Sequence, residues 1–187
     1  MHTDAWSANY CPDAGPSVKV GPDGTVHVAW WTGKDGRAGT QYARSTDGGG
    51  TFSAPVALGL AEHSRAAHIQ LALGEGGGVD SGLVVAAWDD GTRQIPQVVV
   101  RVSRDYGRTF APGAAVSAAG NEAGYPVVTL RGDTVLVAWQ ERSLAAAAAD
   151  SVARKAKDMN DPSTYVNAVG AMQVVTRSGV VVGGGTR

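Results

Sequence analysis

The sequence predicts an all-β chain built from repeated strand-and-turn units. Three observations predict it: short apolar segments ending in tryptophan recur, two matching octapeptides follow the first two of them, and 26 of the 187 residues are glycine. Glycine favours tight turns because it adopts positive φ at little cost. With 43% hydrophobic and 18% charged residues, the chain has enough apolar surface to fold as one domain.

The three apolar segments read as buried strands, because each is short, Val-rich and bounded by turn residues. They are Val26–Trp30, Val84–Trp88 and Val135–Trp139. Similar segments recurring at long intervals indicate a repeat architecture, in which each copy packs on its neighbours.

Two octapeptides fit the pattern S-x-D-x-G-x-T-F, and each follows its tryptophan at the same interval. An Asp carboxylate accepts backbone N–H groups in such a turn, and the glycine two positions later takes positive φ. The Ser and Thr hydroxyls tie the flanking strands together while the aromatic ring packs beneath. We predict a structural role for all ten positions, in preference to catalysis by the two Asp side chains: Ser45, Asp47, Gly49, Thr51, Phe52, Ser103, Asp105, Gly107, Thr109 and Phe110.

These octapeptides resemble Asp-boxes, the bacterial neuraminidase repeats of sialidase-like β-propellers. Residues Cys11 to Pro55 are similar to secreted members of that superfamily, and the resemblance extends to Trp139. It implies blades of four antiparallel strands, with the Asp-box between the third and fourth. Residues 1–187 then form a single partial propeller of about three blades, at 11–59, 66–118 and 124–183, the last degenerate.

Four strands per blade can be placed in order along the chain. The first blade takes residues 16–20, 25–31, 39–44 and 54–58, and the second takes 68–73, 83–88, 97–102 and 114–117. The third begins with 125–130 and 134–139. Residues 143–159 are alanine-rich with apolar side chains near helical spacing, which predicts a helix that Ser143 caps and Pro162 ends. Strands at 168–176 and 180–182 follow, joined by a turn at Arg177-Ser178-Gly179.

Three blades do not close a propeller, which commonly has four to eight. Two arrangements are open: the chain is the C-terminal half of a longer six-bladed protein, which we favour, or two copies assemble into a six-bladed ring. Another protein covering an open face is a further way to complete it.

The charge balance of the chain, and the patterns that its sequence lacks, argue against several classes of function. The 16 Lys and Arg against 17 Asp and Glu give a net charge of -1, which disfavours nucleic-acid binding. Residues 1–16 lack a signal-peptide pattern, and no apolar run reaches the length of a membrane span. Cys11, the single cysteine, cannot form an internal disulfide, and if residues precede this sequence in a longer chain they could supply its partner. His63 and His68 lack zinc-ligand spacing, and we predict neither a metal nor a cofactor.

Ligands are expected on the face opposite the Asp-boxes. A sialidase needs arginines that converge on a carboxylate, and a Tyr nucleophile activated by a Glu. The ligand-binding candidates are Arg65, Arg93, Arg142 and Asp89, and the catalytic candidates are Tyr125 with Glu122 or Glu141. The sialidase Arg-Ile-Pro motif is absent, however. The alternative for each of these residues is a solvated loop charge or a rim ion pair.

The preferred function is a non-catalytic Asp-box propeller module that acts as a periplasmic or secreted scaffold, or as an accessory subunit of a larger complex, including a membrane complex. The location follows from the family resemblance. A docking stripe of Leu144, Val152 and Met159 would contact a protein partner, or would pack on the chain's own propeller. The alternative function is an exo-sialidase or related glycoside hydrolase that needs additional blades and takes a glycan.

Overall fold

A computed structural model describes residues 14–60, 67–76, 81–92, 95–145, 148 and 172–182. These residues form three antiparallel sheets, with helical backbone at Leu144, Ala145 and Ala148. The remainder of the predicted helix at 143–159 lies outside the described residues, as does Cys11.

Sheets A and B each contain four consecutive strands in simple up-and-down order. Sheet A consists of β1 (Ser17–Val20), β2 (Val26–Thr32), β3 (Gly39–Ser45) and β4 (Val56–Leu60). Sheet B consists of β5 (Ile69–Leu73), β6 (Val84–Asp90), β7 (Gln97–Ser103) and β8 (Ala114–Ala115).

Sheet C contains β9 (Asn121–Arg131), β10 (Thr134–Ser143) and β11 (Gln173–Val180), with β10 in the middle. The predicted turn at Arg177-Ser178-Gly179 is wrong. All three residues lie within β11 and pair with β10, where Arg177 is opposite Val137 and Gly179 is opposite Val135. The ladder with β10 holds this segment extended, and the described part of sheet C therefore has three strands.

The three sheets stack face to face, with their first strands side by side. β1 packs beside β5, and β5 packs beside β9. One apolar cluster fills the space between sheets A and B and includes Tyr42, Leu58 and Trp88. A second fills the space between sheets B and C and includes Val137 and Trp139. Trp88 in β6 and Trp139 in β10, the second strands of sheets B and C, thus each pack toward the preceding sheet.

The first octapeptide, residues 45–52, forms the connection from β3 to β4. The Asp47 carboxylate accepts hydrogen bonds from the Ser45 hydroxyl at 2.7 Å, the Thr51 hydroxyl at 2.6 Å and the Thr51 backbone N–H at 2.8 Å. The Ser45 hydroxyl oxygen in turn accepts from the backbone N–H of Gly49 at 2.8 Å. Gly49 has a φ of 95°. The side chains thus close a turn whose own backbone offers few hydrogen bonds.

The second octapeptide, residues 103–110, connects β7 to β8 through the same set of hydrogen bonds. Asp105 accepts from the Ser103 hydroxyl at 2.7 Å, the Thr109 hydroxyl at 2.6 Å and the Thr109 N–H at 2.8 Å. Gly107 donates its N–H to Ser103 Oγ at 2.9 Å and has a φ of 78°. Each carboxylate is therefore committed to its own turn.

The hydrogen bonds shift the acidity of both aspartates. The Ser45 hydroxyl, followed by the side chain and backbone of Thr51, holds the pKa of Asp47 far below its usual range. Burial by itself would raise the pKa of Asp105, but the hydrogen bonds from Thr109 and Ser103 outweigh it and lower the pKa to about 2. Both carboxylates stay ionised except in strong acid.

Tyr42 links sheet A to the second octapeptide. Its hydroxyl lies 2.6 Å from Nδ1 of His27, and its ring packs edge-on against Phe110 with ring centroids 4.9 Å apart. A Cβ at Gly107 would lie 1.8 Å from the Tyr42 hydroxyl oxygen, so only glycine fits there. His27 is itself buried, with 2% of its surface exposed. Burial lowers the pKa of His27 and raises that of Tyr42.

Candidate functional site

The candidate site lies at the end of the sheets opposite the octapeptides. The octapeptides leave from the C-terminal ends of β3 and β7, so the opposite end carries the C-terminal ends of β6 and β10 and the N-terminal end of β9. Asp89, Tyr125 and Glu141 lie in these segments, and His68 immediately precedes β5.

Asp89 is fully buried, with 0% of its surface exposed. Its Oδ1 accepts the backbone N–H of His68 at 2.6 Å, and its Oδ2 lies 2.8 Å from Nδ1 of the His68 ring. The backbone N–H of Tyr125 donates to the same Oδ2 at 3.4 Å. The carboxylate therefore joins the start of β5 to β9. Sequence reasoning placed Asp89 in a ligand-facing loop, whereas it lies in β6 and ties two backbone segments together.

Tyr125 occupies a β-bulge in β9. The register between β9 and β10 shifts around Trp139, so that Tyr125 and Pro126 together lie opposite this one residue. Tyr125 has a φ of 55°, which is strained for a residue that is not glycine. Its side chain is 50% exposed and stacks on His68, with ring centroids 4.0 Å apart and planes tilted by 33°. The bulge turns this aromatic ring outward onto His68.

Glu141 is buried, with 4% of its surface exposed. One carboxylate oxygen accepts from Nδ2 of Asn121 at 2.6 Å, and the other accepts from the indole N–H of Trp139 at 2.6 Å. A buried carboxylate needs such donors, because an unpaired one is costly. The hydrogen bonds of Glu141 thus go to Trp139 and Asn121, whereas the sequence suggested Tyr125 as its partner.

Glu122 and Arg142 form an ion pair across β9 and β10. The guanidinium donates from Nε at 2.8 Å and from Nη2 at 2.7 Å to the same Glu122 oxygen. The two side chains are 28% and 25% exposed, and the residues are register partners in the sheet. The sequence predicts that Glu122, Glu141 and Arg142 lie in loops, outside the strands at 125–130 and 134–139. They lie in strands because β9 and β10 continue further than predicted.

Other candidates cannot be placed in this site. Arg65 and Arg93 lie outside the described residues, and so do Val152 and Met159 of the predicted docking stripe. Leu144 is described and is 41% exposed. The sequence predicts His68 as the first residue of a strand and does not support it as a metal ligand. Its stacking on Tyr125 was not predicted, because no local pattern pairs residues from the start of β5 and a bulge in β9.

Neither a metal-binding cluster nor a membrane-spanning helix occurs among the described residues. No cluster of three or more His, Cys, Asp or Glu side chains is placed to hold a metal ion in the described ranges. Within the same part of the chain, no helix is long and apolar enough to cross a membrane.

Comparison with known proteins identifies the fold. No protein-family profile and no curated protein matches the sequence. Among solved structures, the chain is similar to a mutant α-L-arabinofuranosidase of Fusarium graminearum in complex with an iminosugar inhibitor, with a TM-score of 0.51 at 17% identity. That match covers 71% of this chain and 42% of the enzyme.

A Penicillium chrysogenum α-L-arabinanase complexed with arabinobiose matches with a TM-score of 0.48 at 14% identity, over 71% of this chain and 43% of the other. The chain thus spans less than half the length of either protein. Together with the three stacked sheets, the Fusarium match shows that the chain has an all-β propeller fold, as the sequence predicts.

Proposed function

We propose that this chain is a non-catalytic β-propeller module that binds another propeller sheet through its open sheet faces. The observation that carries the proposal is the outer face of sheet C, on the side away from sheet B. Among the described residues of its strands, four apolar ones are exposed there: Val127 at 63%, Leu136 at 43%, Val174 at 76% and Val180 at 60%. We call these four residues the open face of sheet C.

The outer side of sheet A carries a matching surface. Val18 is 55% exposed and Val20 is 65% exposed, and both lie on β1, the first strand of its sheet. Between sheets A and B, and between B and C, such apolar faces are buried against each other. Continuing this stacking, the open face of sheet C fits the outer face of sheet A in a second copy. Exposed apolar patches of this kind are characteristic of interaction sites.

The state of the carboxylates supports a non-catalytic role. A glycosidase needs a carboxyl group that faces its substrate as acid, base or nucleophile partner. Asp89 and Glu141 are instead buried and accept hydrogen bonds from their own chain, and Glu122 is ion-paired with Arg142. The described acidic candidates of the predicted site thus have structural partners.

The proposal includes membership of the sialidase-like Asp-box superfamily and a periplasmic or secreted scaffold role, as part of a larger assembly. The two octapeptides support this membership, because their Ser, Asp, Gly and Thr residues make the same hydrogen bonds in both copies.

A second candidate function, glycoside hydrolysis with additional blades, is favoured by Tyr125. Its ring is half exposed and its backbone has a positive φ, which is strained for this residue. Strained residues are concentrated at functional sites. The Fusarium structure with the same fold is a glycosidase. Turnover of a fluorogenic sialoside or arabinofuranoside that is lost in Tyr125→Phe would favour this candidate over the non-catalytic module.

Sedimentation velocity over a concentration series tests the preferred function. We expect the wild-type chain to self-associate at micromolar concentration and Val174→Asp to sediment as a monomer, because a carboxylate on this face would be buried unpaired. Ala119→Asp, which adds the same charge on an exposed loop, is the matched control and should behave as wild type. A monomeric wild type, or equal association of both variants, contradicts the proposal.

A further inference from the structure

A groove of about 650 Å³ separates the outer parts of sheets B and C. Its walls are two sheet faces: Val100 and Val116 on the side of sheet B, and Val135 and Val137 on the side of sheet C. The groove continues the buried cluster between these sheets toward the solvent. Its volume lies in the range of small-molecule sites, roughly 300–1,000 Å³.

The equivalent space between sheets A and B is filled. Counting back from the first serine of each octapeptide, Tyr42 in sheet A corresponds to Val100 in sheet B. The strand registers likewise make Leu58 the counterpart of Val116, because Ala57 pairs with Gln41 and Ala115 pairs with Val99. The two larger side chains lie in the cluster between A and B. The groove exists because the sequence places valine at both positions in sheet B.

The charge of the groove is positive. Among the described residues that line it, Arg104 and Arg177 are charged and none is acidic. Arg104 donates to the carbonyl oxygen of Val182 at the groove wall. Within the described part of the chain, the guanidinium of Arg177 makes no hydrogen bond. A guanidinium beside an apolar surface is suited to a carboxylate, which it binds through paired N–H donors.

A second arginine shows what a side chain at this register position binds. Arg177 of β11 lies opposite Val137 of β10, and Arg101 of β7 lies opposite Ala86 of β6. In each case the residue opposite the arginine precedes the tryptophan of its own strand by two positions. Arg101 donates from Nη1 to the carbonyl oxygens of Ala57 at 3.2 Å and Leu58 at 2.8 Å in the neighbouring sheet. Its guanidinium is thus occupied by oxygen acceptors, whereas Arg177 faces the open groove.

We propose that this groove binds a small amphipathic ligand with an apolar chain and one carboxylate, the chain between the valine walls and the carboxylate on Arg177. The site shares Val180 with the open face of sheet C, but Arg177 and Val116, the positions varied below, do not belong to that face, so its test is independent of the proposed function.

Isothermal titration calorimetry with sodium decanoate tests the site, with decanol as the uncharged probe. We expect saturable binding of decanoate, weakened about tenfold in Arg177→Ala through loss of the charge-assisted hydrogen bonds, with decanol affected little. Arg131→Ala is the matched control, because Arg131 lies in the same sheet, on the side that carries Val127 and Leu136. It should bind decanoate as wild type does.

A filling substitution provides the second variant. Val116→Leu places in the groove the residue that fills the equivalent space at Leu58, so it should weaken decanoate and decanol alike while the thermal unfolding midpoint is kept or raised. Absence of saturable decanoate binding, or equal affinity of Arg177→Ala and Arg131→Ala, would overturn the proposal.

Discussion

At the scale of single residues, the two octapeptides differ in what surrounds their glycines. Gly49 and Gly107 both have positive φ and both donate to the serine of their turn. A Cβ at Gly49 would meet no atom within 4 Å, whereas one at Gly107 would meet the hydroxyl of Tyr42. The same motif is therefore a local turn in sheet A and also a contact between sheets in sheet B.

This difference predicts unequal costs for one substitution. Gly49→Ala should lower the free energy of unfolding by about 1–2 kcal/mol, the cost of left-handed backbone for an L-residue. Gly107→Ala should cost about 1–3 kcal/mol more, because the new methyl group displaces Tyr42. Urea unfolding of both variants measures the difference, and equal losses would show that Tyr42 does not pack against the second octapeptide.

The aspartates of the turns predict a loss of stability in acid. The pKa of Asp105 in the folded state, about 2, lies below its ordinary value of 3.8, so the unfolded state binds the proton more tightly. The contribution of Asp105 is fully present above about pH 4 and is lost as the pH falls toward about 2. Denaturant unfolding across this range should show a shallower acid loss in Asp105→Asn than in wild type. Identical pH profiles would contradict a carboxylate held ionised by its turn.

At the scale of elements, the hairpin of β9 and β10 carries two carboxylates with different burial. Glu141 is 4% exposed and accepts from Trp139 and Asn121, whereas Glu122 is 28% exposed and pairs with Arg142. A buried donor left without its acceptor costs more than a partly exposed ion pair contributes.

Glu141→Ala should therefore lower the free energy of unfolding by about 3 kcal/mol, because two donors lose their charged acceptor. Glu122→Ala on the same hairpin should cost at most about 1 kcal/mol, as is usual for exposed pairs. Thermal unfolding followed by tryptophan fluorescence compares the two variants. A larger loss for Glu122→Ala would show that the buried contact to Trp139 is not what holds the hairpin.

Much of the fold can be predicted from the sequence, because the signals for strands and octapeptide turns are local. The candidate site could be predicted only in part. Asp89 and Tyr125 were identified as polar residues near strand ends, but their meeting with His68 depends on stacking between sheets. The predicted lengths of β9 and β10 were the other source of error. Polar residues such as Glu122 and Arg142 are typical of loops, and only their pairing across β9 and β10 shows that they lie in strands.

At the scale of the whole molecule, the three sheets form a stack whose inner faces are buried and whose two outer faces are exposed. The inner faces are buried in two apolar clusters, while the outer sides of sheets A and C expose valine on β1 and on β9. In the chain, β1 neighbours β5 and β5 neighbours β9. If the stacking continues between copies, β9 of one copy neighbours β1 of the next.

Cross-linking between copies tests this association most directly. In a Cys11→Ser background, Val127→Cys on β9 and Val18→Cys on β1 are mixed as separate proteins and oxidised gently. The account predicts a disulfide-linked heterodimer of these two variants and little product when Ala119→Cys replaces Val18→Cys. Equal yields from both mixtures, or no heterodimer from the first, would contradict the binding of sheet C to sheet A.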